Sequence, residues 1–392
     1  MERIGIYGGS FNPLHVGHIR AANFAKEAFS LDKLLLIPSG VSCHKAVPEN
    51  TPTDAQRLEM LQLAADGCDG LEVCDIELQR GGVSYTWETV ETLRRQYPDA
   101  EHYLCMGTDM FLSFHNWKYP EKILPYVTLA VLDRGGNSTD EIARQTQNLQ
   151  DLGARIVFAD NPVTRISSTD LRRMLAFRCA EAFLPKPVAD YIHNHGLYGT
   201  DRDLKNLPME ALEQTVIGLL KPNRVAHVLG CRDTSAELAK IWGADETDAA
   251  RAGMLHDITK ALDGPLQLDL CRAYDVELNA FSQANPKTLH ALTGSLVAER
   301  IFGENEDVVS SICSHTTGKA NMNTLEKIVY VADYMEPNRN FDGVEELRRL
   351  AYTDLDKALK LGLEMTLALL KEQGREISPE SQQALAWLNT QT

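Results

Sequence analysis

Arg3-Ile4-Gly5-Ile6-Tyr7-Gly8-Gly9-Ser10-Phe11-Asn12-Pro13-Leu14-His15-Val16-Gly17-His18 reads as an apolar strand over Arg3–Tyr7, a glycine turn and the start of a helix. The glycines let the backbone turn tightly and approach a phosphate with no Cβ in the way. The helical period that follows, Ile19–Ala28, offers unpaired N–H groups and a partial positive charge at its start. His15 and His18 stand three apart and project to one side of a helix start. Such a pair can donate hydrogen bonds to a pentavalent α-phosphate transition state, in a reaction that positioning and charge stabilisation carry. A glycine turn with two incidental surface histidines is the plainer account of the parts taken singly. Their order directly behind a strand favours the phosphate site.

Outward from this stretch, strand-like runs at Lys33–Pro38, Leu71–Leu78, His102–Met106, Tyr126–Leu132 and Ala154–Phe158 alternate with helical periods at Asp54–Ala65, Trp87–Gln96 and Thr139–Asn148. The alternation predicts an α/β domain with a doubly wound parallel sheet, whose ligands sit beyond the carboxyl ends of the strands. From about Pro208 strand-like runs cease. Helical periods follow at Met209–Leu220, Val225–Trp242, Thr247–Asp257, Pro265–Ala273, Asn285–Phe302, Glu306–Ser314, Asn323–Asp333, Asp342–Leu350 and Asp354–Gln373. His195–Leu207, rich in Gly, Asp and Asn, reads as the linker, so the expected division is an α/β domain at 1–200 and an all-α domain at 201–392. Two domains also suit 392 residues, since single cores stop growing past about 250–300 residues.

A formal net charge of −16 disfavours nucleic-acid binding and demands that any phosphate site concentrate its cations and N–H groups locally. With no apolar run of about 18 residues, no membrane span is expected. The N-terminus passes straight into the strand pattern without the marks of a signal peptide. The eight cysteines (Cys43, Cys68, Cys74, Cys105, Cys179, Cys231, Cys271, Cys313) are scattered and read as reduced thiols. The expected location is the cytoplasm.

A second phosphate-directed motif is Ile166-Ser167-Ser168-Thr169-Asp170-Leu171-Arg172, in which Ser168 and Thr169 stand at N-cap positions ahead of a helix over Asp170–Phe177. Alone it reads as a helix cap; beside the first motif it reads as a second cradle, with Arg172 on the β- or γ-phosphate. Together the motifs resemble the nucleotidylyltransferase superfamily of (His/Thr)-x-Gly-His and Ile-Ser-Ser-Thr-x-x-Arg, and within it bacterial nicotinate-nucleotide adenylyltransferases over nearly all of 1–199. The resemblance implies transfer of an adenylyl group from ATP, with Mg²⁺ on its phosphates, to nicotinate mononucleotide. His15, His18 and Arg172 would be catalytic. Gly8, Gly9, Ser10, Phe11, Gly107, Asp109, Ile166, Ser168 and Thr169 would join them in binding ATP. Lys45, Tyr85, Thr86, Trp117 and Arg134 would bind the mononucleotide, Trp117 by stacking on its ring. Thr108 stands in place of Ala, and Trp87-Glu88 follows Thr86 where Asp is common; the second departure leaves acid-versus-amide preference open.

Of eleven histidines, four lie beyond residue 200: His227, His256, His290 and His315. With Asp257 and Asp333 they run in the order His, His-Asp, His, His, Asp, flanked by apolar helical residues, with Lys260 three after Asp257. Imidazoles and carboxylates from separate helices can converge on metal ions within a bundle. This pattern resembles the HD-superfamily phosphohydrolases, and within them bacterial symmetrical diadenosine tetraphosphate hydrolases, over about 208–375. The resemblance implies hydrolysis of diadenosine tetraphosphate to two ADP. His227, His256, Asp257 and Asp333 would hold one metal, Asp257 would bridge to a second completed by His290 and His315, and Asp257 and Lys260 would act in catalysis. Lys260, Lys319 and Arg339 would grip phosphates. The resemblance implies iron, while the ligand chemistry equally allows manganese or another first-row ion. A nucleotide sensor without turnover and a cyclic-nucleotide or other nucleotide phosphohydrolase are the alternatives for this half. Oligomeric state is open, a homo-oligomer included.

Overall fold

The computed structural model describes residues 1–42, 51–133, 138–161 and 166–391, and the chain divides into two compact units, Met1–Arg202 and Asp203–Thr392. The first holds a wholly parallel six-stranded sheet. Across it lie Leu71–Val73, Lys33–Pro38, Arg3–Gly9, Glu101–Gly107, Val127–Asp133 and Arg155–Asp160. Numbered along the chain, that order is 3-2-1-4-5-6. It sets Arg3–Gly9 beside Glu101–Gly107, where the winding reverses, and ligands of such sheets bind in the crevice beyond the carboxyl ends at that switch point. Lys33–Pro38 carries five consecutive buried residues, Leu34 to Pro38, as befits a strand covered on both faces. The edge strand Arg155–Asp160 leaves Val157 and Phe158 exposed.

The expected strand Leu71–Leu78 is a strand only over Leu71–Val73, and the rest becomes a short helix, Ile76–Arg80. Apolar alternation cannot tell these apart over so short a run. The turn at Asp75 breaks the strand, and the helix buries Glu77, whose carboxylate accepts from Thr89 Oγ1 at 2.6 Å.

In the second unit no strand occurs among the described residues. Its helices are Met209–Leu219, Val225–Trp242, Glu246–Leu255, Gly264–Ala273, Ala280–Ala284, His290–Val297, Glu306–Ser314, Thr324–Met335, Val344–Ala351, Leu355–Glu372 and Pro379–Gln391. Asp245, Asp263, Asn305, Asn323 and Asp354 cap five of them, each side chain accepting from a first-turn amide. Arg251 forks onto Glu304 at 2.7 and 2.6 Å and donates to the Leu207 carbonyl at 2.8 Å, fastening the segment ahead of the first helix. The single helix expected over Asn285–Phe302 is instead a 3₁₀ turn at Pro286–Leu289, an α-helix and a π turn at Ala298–Phe302. The closing helix Pro379–Gln391 is an addition to the sequence reading. Among the described residues no helix is long and apolar enough to cross a membrane.

Candidate functional sites

In the first unit the strand Arg3–Gly9 ends in the loop Ser10–Leu14, and helix Val16–Ala28 begins with His15 as its N-cap. The imidazoles of His15 and His18 stack, their centroids 3.7 Å apart and their planes 30° apart. The backbone N–H of His15 donates to His18 Nδ1 at 3.2 Å, which fixes the His18 tautomer with its proton on Nε2. No acidic side chain occupies the first turn of this helix, so its positive end is uncompensated for an anion. Phe11 is buried and packs edge-on against His18 at 5.1 Å and Tyr7 at 5.9 Å, supporting the pair from below.

The loop is pinned through its own carbonyls. Arg57 donates to Ser10 O and Ser39 O, both at 2.7 Å, tying together the ends of the first two strands. Arg172 donates to Asn12 O at 2.6 Å, and Ser168 Oγ to Pro13 O at 3.0 Å. Gly107, at the end of the neighbouring strand, caps the short helix Thr108–Leu112, on which Asp109 is exposed. Thr108 Oγ1 donates to Asp133 Oδ1 at 3.0 Å. Further along, Tyr85 caps helix Thr86–Gln96, and the Lys118 ammonium lies 4.1 Å from the centre of its ring. Trp117, next to Lys118, tilts against Phe114 at 4.9 Å.

In the second unit six predicted donors converge. His227 lies on Val225–Trp242, His256 and Asp257 follow Glu246–Leu255, His290 opens its helix, His315 closes Glu306–Ser314, and Asp333 lies on Thr324–Met335. Gly253 permits the approach of the first two helices, because a Cβ there would meet Cys231 O at 2.8 Å and Arg232 Cα at 2.9 Å. The Asp257 carboxylate divides between two pairs: Oδ2 is 3.8 Å from His227 Nε2 and 3.6 Å from His256 Nε2, and Oδ1 is 3.6 Å from His290 Nε2 and 3.8 Å from His315 Nε2. Asp333 Oδ1 lies 3.2 Å from His227 Nε2 and 3.8 Å from His256 Nε2.

Each imidazole is aimed by its other nitrogen. Nδ1 of His256, His290 and His315 meets the carbonyls of Gly253, Lys287 and Ile312 at 2.7, 2.9 and 2.6 Å, and His227 Nδ1 meets Glu336 Oε1 at 3.1 Å. All four therefore carry the proton on Nδ1 and turn Nε2 lone pairs inward. His227 Nε2 and His256 Nε2 face each other at 3.2 Å, two lone pairs in opposition that a cation between them would relieve. Burial holds His256 and His290 well below the ordinary imidazole range and His315 down at about 4, the neutral state that ligation requires. Against the effect of its own burial, the guanidinium of Arg339 beside it holds Asp333 well below the usual carboxylate range. The donor set fits a divalent first-row metal.

Family comparisons divide the chain at the same place. Residues 6–174 match the cytidylyltransferase-like family and residues 224–338 the HD domain. A probable nicotinate-nucleotide adenylyltransferase of Neisseria meningitidis serogroup C is 34% identical over 203 residues, covering 50% of this chain and 99% of the relative. The chain belongs to the nicotinate-nucleotide adenylyltransferase family. A relative of the same description from Rhodopirellula baltica is 39% identical over 202 residues, with 50% of this chain and 92% of the relative covered. A solved structure from Clostridium acetobutylicum, described as a predicted HD superfamily hydrolase involved in NAD metabolism, is 35% identical. It covers 47% of this chain and 99% of its own, at a TM-score of 0.46.

Within the adenylyltransferase unit the structure gathers Gly8, Gly9, Ser10, Phe11, His15, His18, Ser168, Thr169 and Arg172 around one loop. Several stand differently from the sequence expectation. The N-cap of the later helix is Ser167, whose hydroxyl accepts from Asp170 N at 3.1 Å; Ser168 begins the helix and turns its hydroxyl to the loop. Arg172 is engaged by Asn12 and Thr169. Phe11 can meet a nucleotide only through its backbone, and Ile166 is likewise buried. Lys45 and Arg134 lie outside the described residues.

In the HD unit Lys260 and Arg339 stand at the cluster, Lys260 Nζ 2.7 Å from His290 Nε2 and Arg339 donating to Asp333 Oδ1 at 2.5 Å. Lys319 does not join them: it is held by Glu326 at 2.6 Å and Ser310 at 2.9 Å. Four participants were missed: Arg224 on Asp257, Glu336 behind His227, Thr316 at 3.0 and 3.1 Å from His290 Nε2 and His315 Nε2, and Cys231 beside His227. Each stands close in the chain to a predicted donor: Cys231 four residues after His227 on one helix, Arg224 three before His227, Thr316 next to His315 and Glu336 three after Asp333.

Proposed function

We propose that the chain is a bifunctional cytoplasmic enzyme. Its first unit transfers the adenylyl group of ATP, carried with Mg²⁺, to nicotinate mononucleotide, giving nicotinate adenine dinucleotide and pyrophosphate. The observation that carries this reading is the stacked His15–His18 pair at an uncompensated helix start beside the switch point of the sheet. His18 Nε2–H and the first-turn amides would stabilise charge growing on the α-phosphate, and Arg172 and Thr169 would help to hold the departing phosphates. Tyr85, Thr86 and Trp117 would seat the pyridine ring. Pyrophosphate release from ATP and nicotinate mononucleotide tests this; no release, in the presence of Mg²⁺, refutes it.

The second unit is read as a metal-dependent phosphohydrolase that splits diadenosine tetraphosphate into two ADP. The division of Asp257 between two imidazole pairs supports two metal positions, His227, His256 and Asp333 at one, His290 and His315 at the other. Bound iron, or manganese, would supply Lewis acidity and activate water near neutral pH. The protein's part is to aim the ligands and grip the anion. The side chains of Lys260, Arg339 and Arg224, 40%, 34% and 27% exposed, form a cationic rim over the buried ligands, suited to phosphates. Incubating the full chain with diadenosine tetraphosphate and Fe²⁺ or Mn²⁺ should release ADP, and Asp257→Asn should stop it. Absence of ADP with every first-row ion refutes the hydrolase.

A further inference from the structure

Tyr198 lies four residues before the end of the first unit, far in sequence from the nucleotide loop. Its hydroxyl nevertheless donates to Asn12 Oδ1 at 2.7 Å, across 186 residues. The Asn12 side chain is buried and donates onward to Thr51 Oγ1 at 3.4 Å, while its backbone carbonyl takes the guanidinium of Arg172. Asn12 is thus held on both its side chain and its backbone, three residues ahead of His15.

Two further features set Tyr198 apart from an ordinary terminal tyrosine. Its backbone is left-handed, φ 56° and ψ 24°, a conformation that non-glycine residues rarely adopt unless the surroundings enforce it. Here it sits between Gly196 and Gly199, both also at positive φ, which shape the tight turn that brings the ring inward. Burial pushes the phenol well above its ordinary value, so the hydroxyl keeps its proton and stays the donor to Asn12.

We infer that Tyr198 is a positioning residue for adenylyl transfer: by fixing the Asn12 side chain it sets the loop Ser10–Leu14, and with it His15, in the geometry that receives the phosphates of ATP. The inference rests on the adenylyltransferase reading of this site. Tyr198 touches no reacting atom and acts only through Asn12. The last turn of the unit is therefore part of its nucleotide site, and a fragment ending before residue 198 would lack a loop support that its sheet and helices do not supply.

The test is a double-mutant cycle on the full chain, read by calorimetric titration with a non-hydrolysable α,β-methylene analogue of ATP. Tyr198→Phe keeps the ring and removes the donor. It should weaken analogue binding about tenfold, the effect of one hydrogen bond lost from a buried acceptor. Stoichiometry should stay at one per chain, and the KM for nicotinate mononucleotide should stay within about twofold. Asn12→Ala should weaken binding similarly, and adding Tyr198→Phe to it should cost less than about twofold more. Should Asn12→Ala fail to fold, Asn12→Ser, whose shorter side chain falls away from the Tyr198 hydroxyl, takes its place. Tyr198→Phe binding within twofold of the parent overturns the inference, as does a full further loss in the Asn12 background. A merely structural role would lower stoichiometry and stability without shifting the analogue's affinity. Failure of the parent chain to bind the analogue would instead refute the adenylyltransferase reading, and the inference with it.

Discussion

Glu336→Gln isolates the residue that aims His227. The carboxylate is 1% exposed and receives three donors: His227 Nδ1 at 3.1 Å on Oε1, and Asn338 N and Nδ2 at 2.7 and 2.8 Å on Oε2. Glutamine has nearly the same shape but only one acceptor oxygen. Whichever way its amide turns, an NH₂ group faces either the imidazole N–H or the two Asn338 donors. Losing a buried bond to a charged group costs about 1.5–3 kcal/mol, which at about 1.4 kcal/mol per factor of ten is about 10- to 100-fold in metal affinity. Partners behind metal-bound histidines show that same range when removed. The assay is chelator competition with Mn²⁺ on the folded full chain. The metal position of His227, His256 and Asp333 should weaken by that factor, while the position of His290 and His315, which are aimed by backbone carbonyls, should stay within about twofold. Gly230→Ala should act likewise, because a Cβ there would run into Glu336 Oε2 and Asn338 Nδ2. Equal affinity of both positions in Glu336→Gln and the parent would refute the argument.

His18→Ala removes the Nε2–H donor and should lower adenylyl transfer by about 10²–10³-fold, as loss of an oriented transition-state donor does; ADP release from diadenosine tetraphosphate, measured on the same preparation, should be unchanged. Adding Mn²⁺ to about 100 times its dissociation constant should stabilise the HD unit by about 2.7 kcal/mol, raising its calorimetric transition by about 5–10 °C, and a chelator should reverse this. His102 is buried in the strand Glu101–Gly107, and burial lowers its imidazole below the ordinary 6.5. As pH falls below 6.5 the unfolded chain takes up a proton that the folded chain refuses, so stability should drop on the acid side and hold constant above it. Hydrogen exchange of that strand should show this slope in the parent and lose it in His102→Leu.

The elements that periodicity located best are those whose signal is local. Asp54–Ala65, Val225–Trp242 and Glu306–Ser314 occupy the expected spans, because each begins at a cap or a turn and carries an apolar stripe along its whole length. The closing helix was legible in principle: Ser378 precedes Pro379 and accepts from Ser381 N at 3.0 Å, a start signal that outweighed its sparse apolar positions. In Asn285–Phe302 the helical period is genuine, but Pro286 forces a 3₁₀ entry and so starts the α-helix at His290, where that imidazole can turn toward Asp257.

At the sites, sequence spacing brought His15 to His18, and a shared residue chemistry pointed to the six donors in the second unit. What it missed is the layer behind them. Glu336 reaches His227 across 109 residues, and Arg172 and Tyr198 reach Asn12 across 160 and 186. A hydrogen bond between distant segments leaves no period and no spacing in the chain, only a polar residue where an apolar one would also have packed. This explains why Ser168 and Arg172 read as phosphate ligands. Their types suit an anion equally well, and only the fold shows Pro13 O and Asn12 O at hydrogen-bonding distance. The two roles need not compete. Arg172 donates to Asn12 O through one terminal nitrogen and to Thr169 through the other, and a guanidinium offers five N–H donors. A residue that braces the loop with part of its fork and meets ATP with the rest would couple loop position to nucleotide binding. Arg172→Lys, which keeps the charge but not the fork, should therefore still weaken calorimetric binding of the α,β-methylene ATP analogue, and unchanged affinity would refute the coupling.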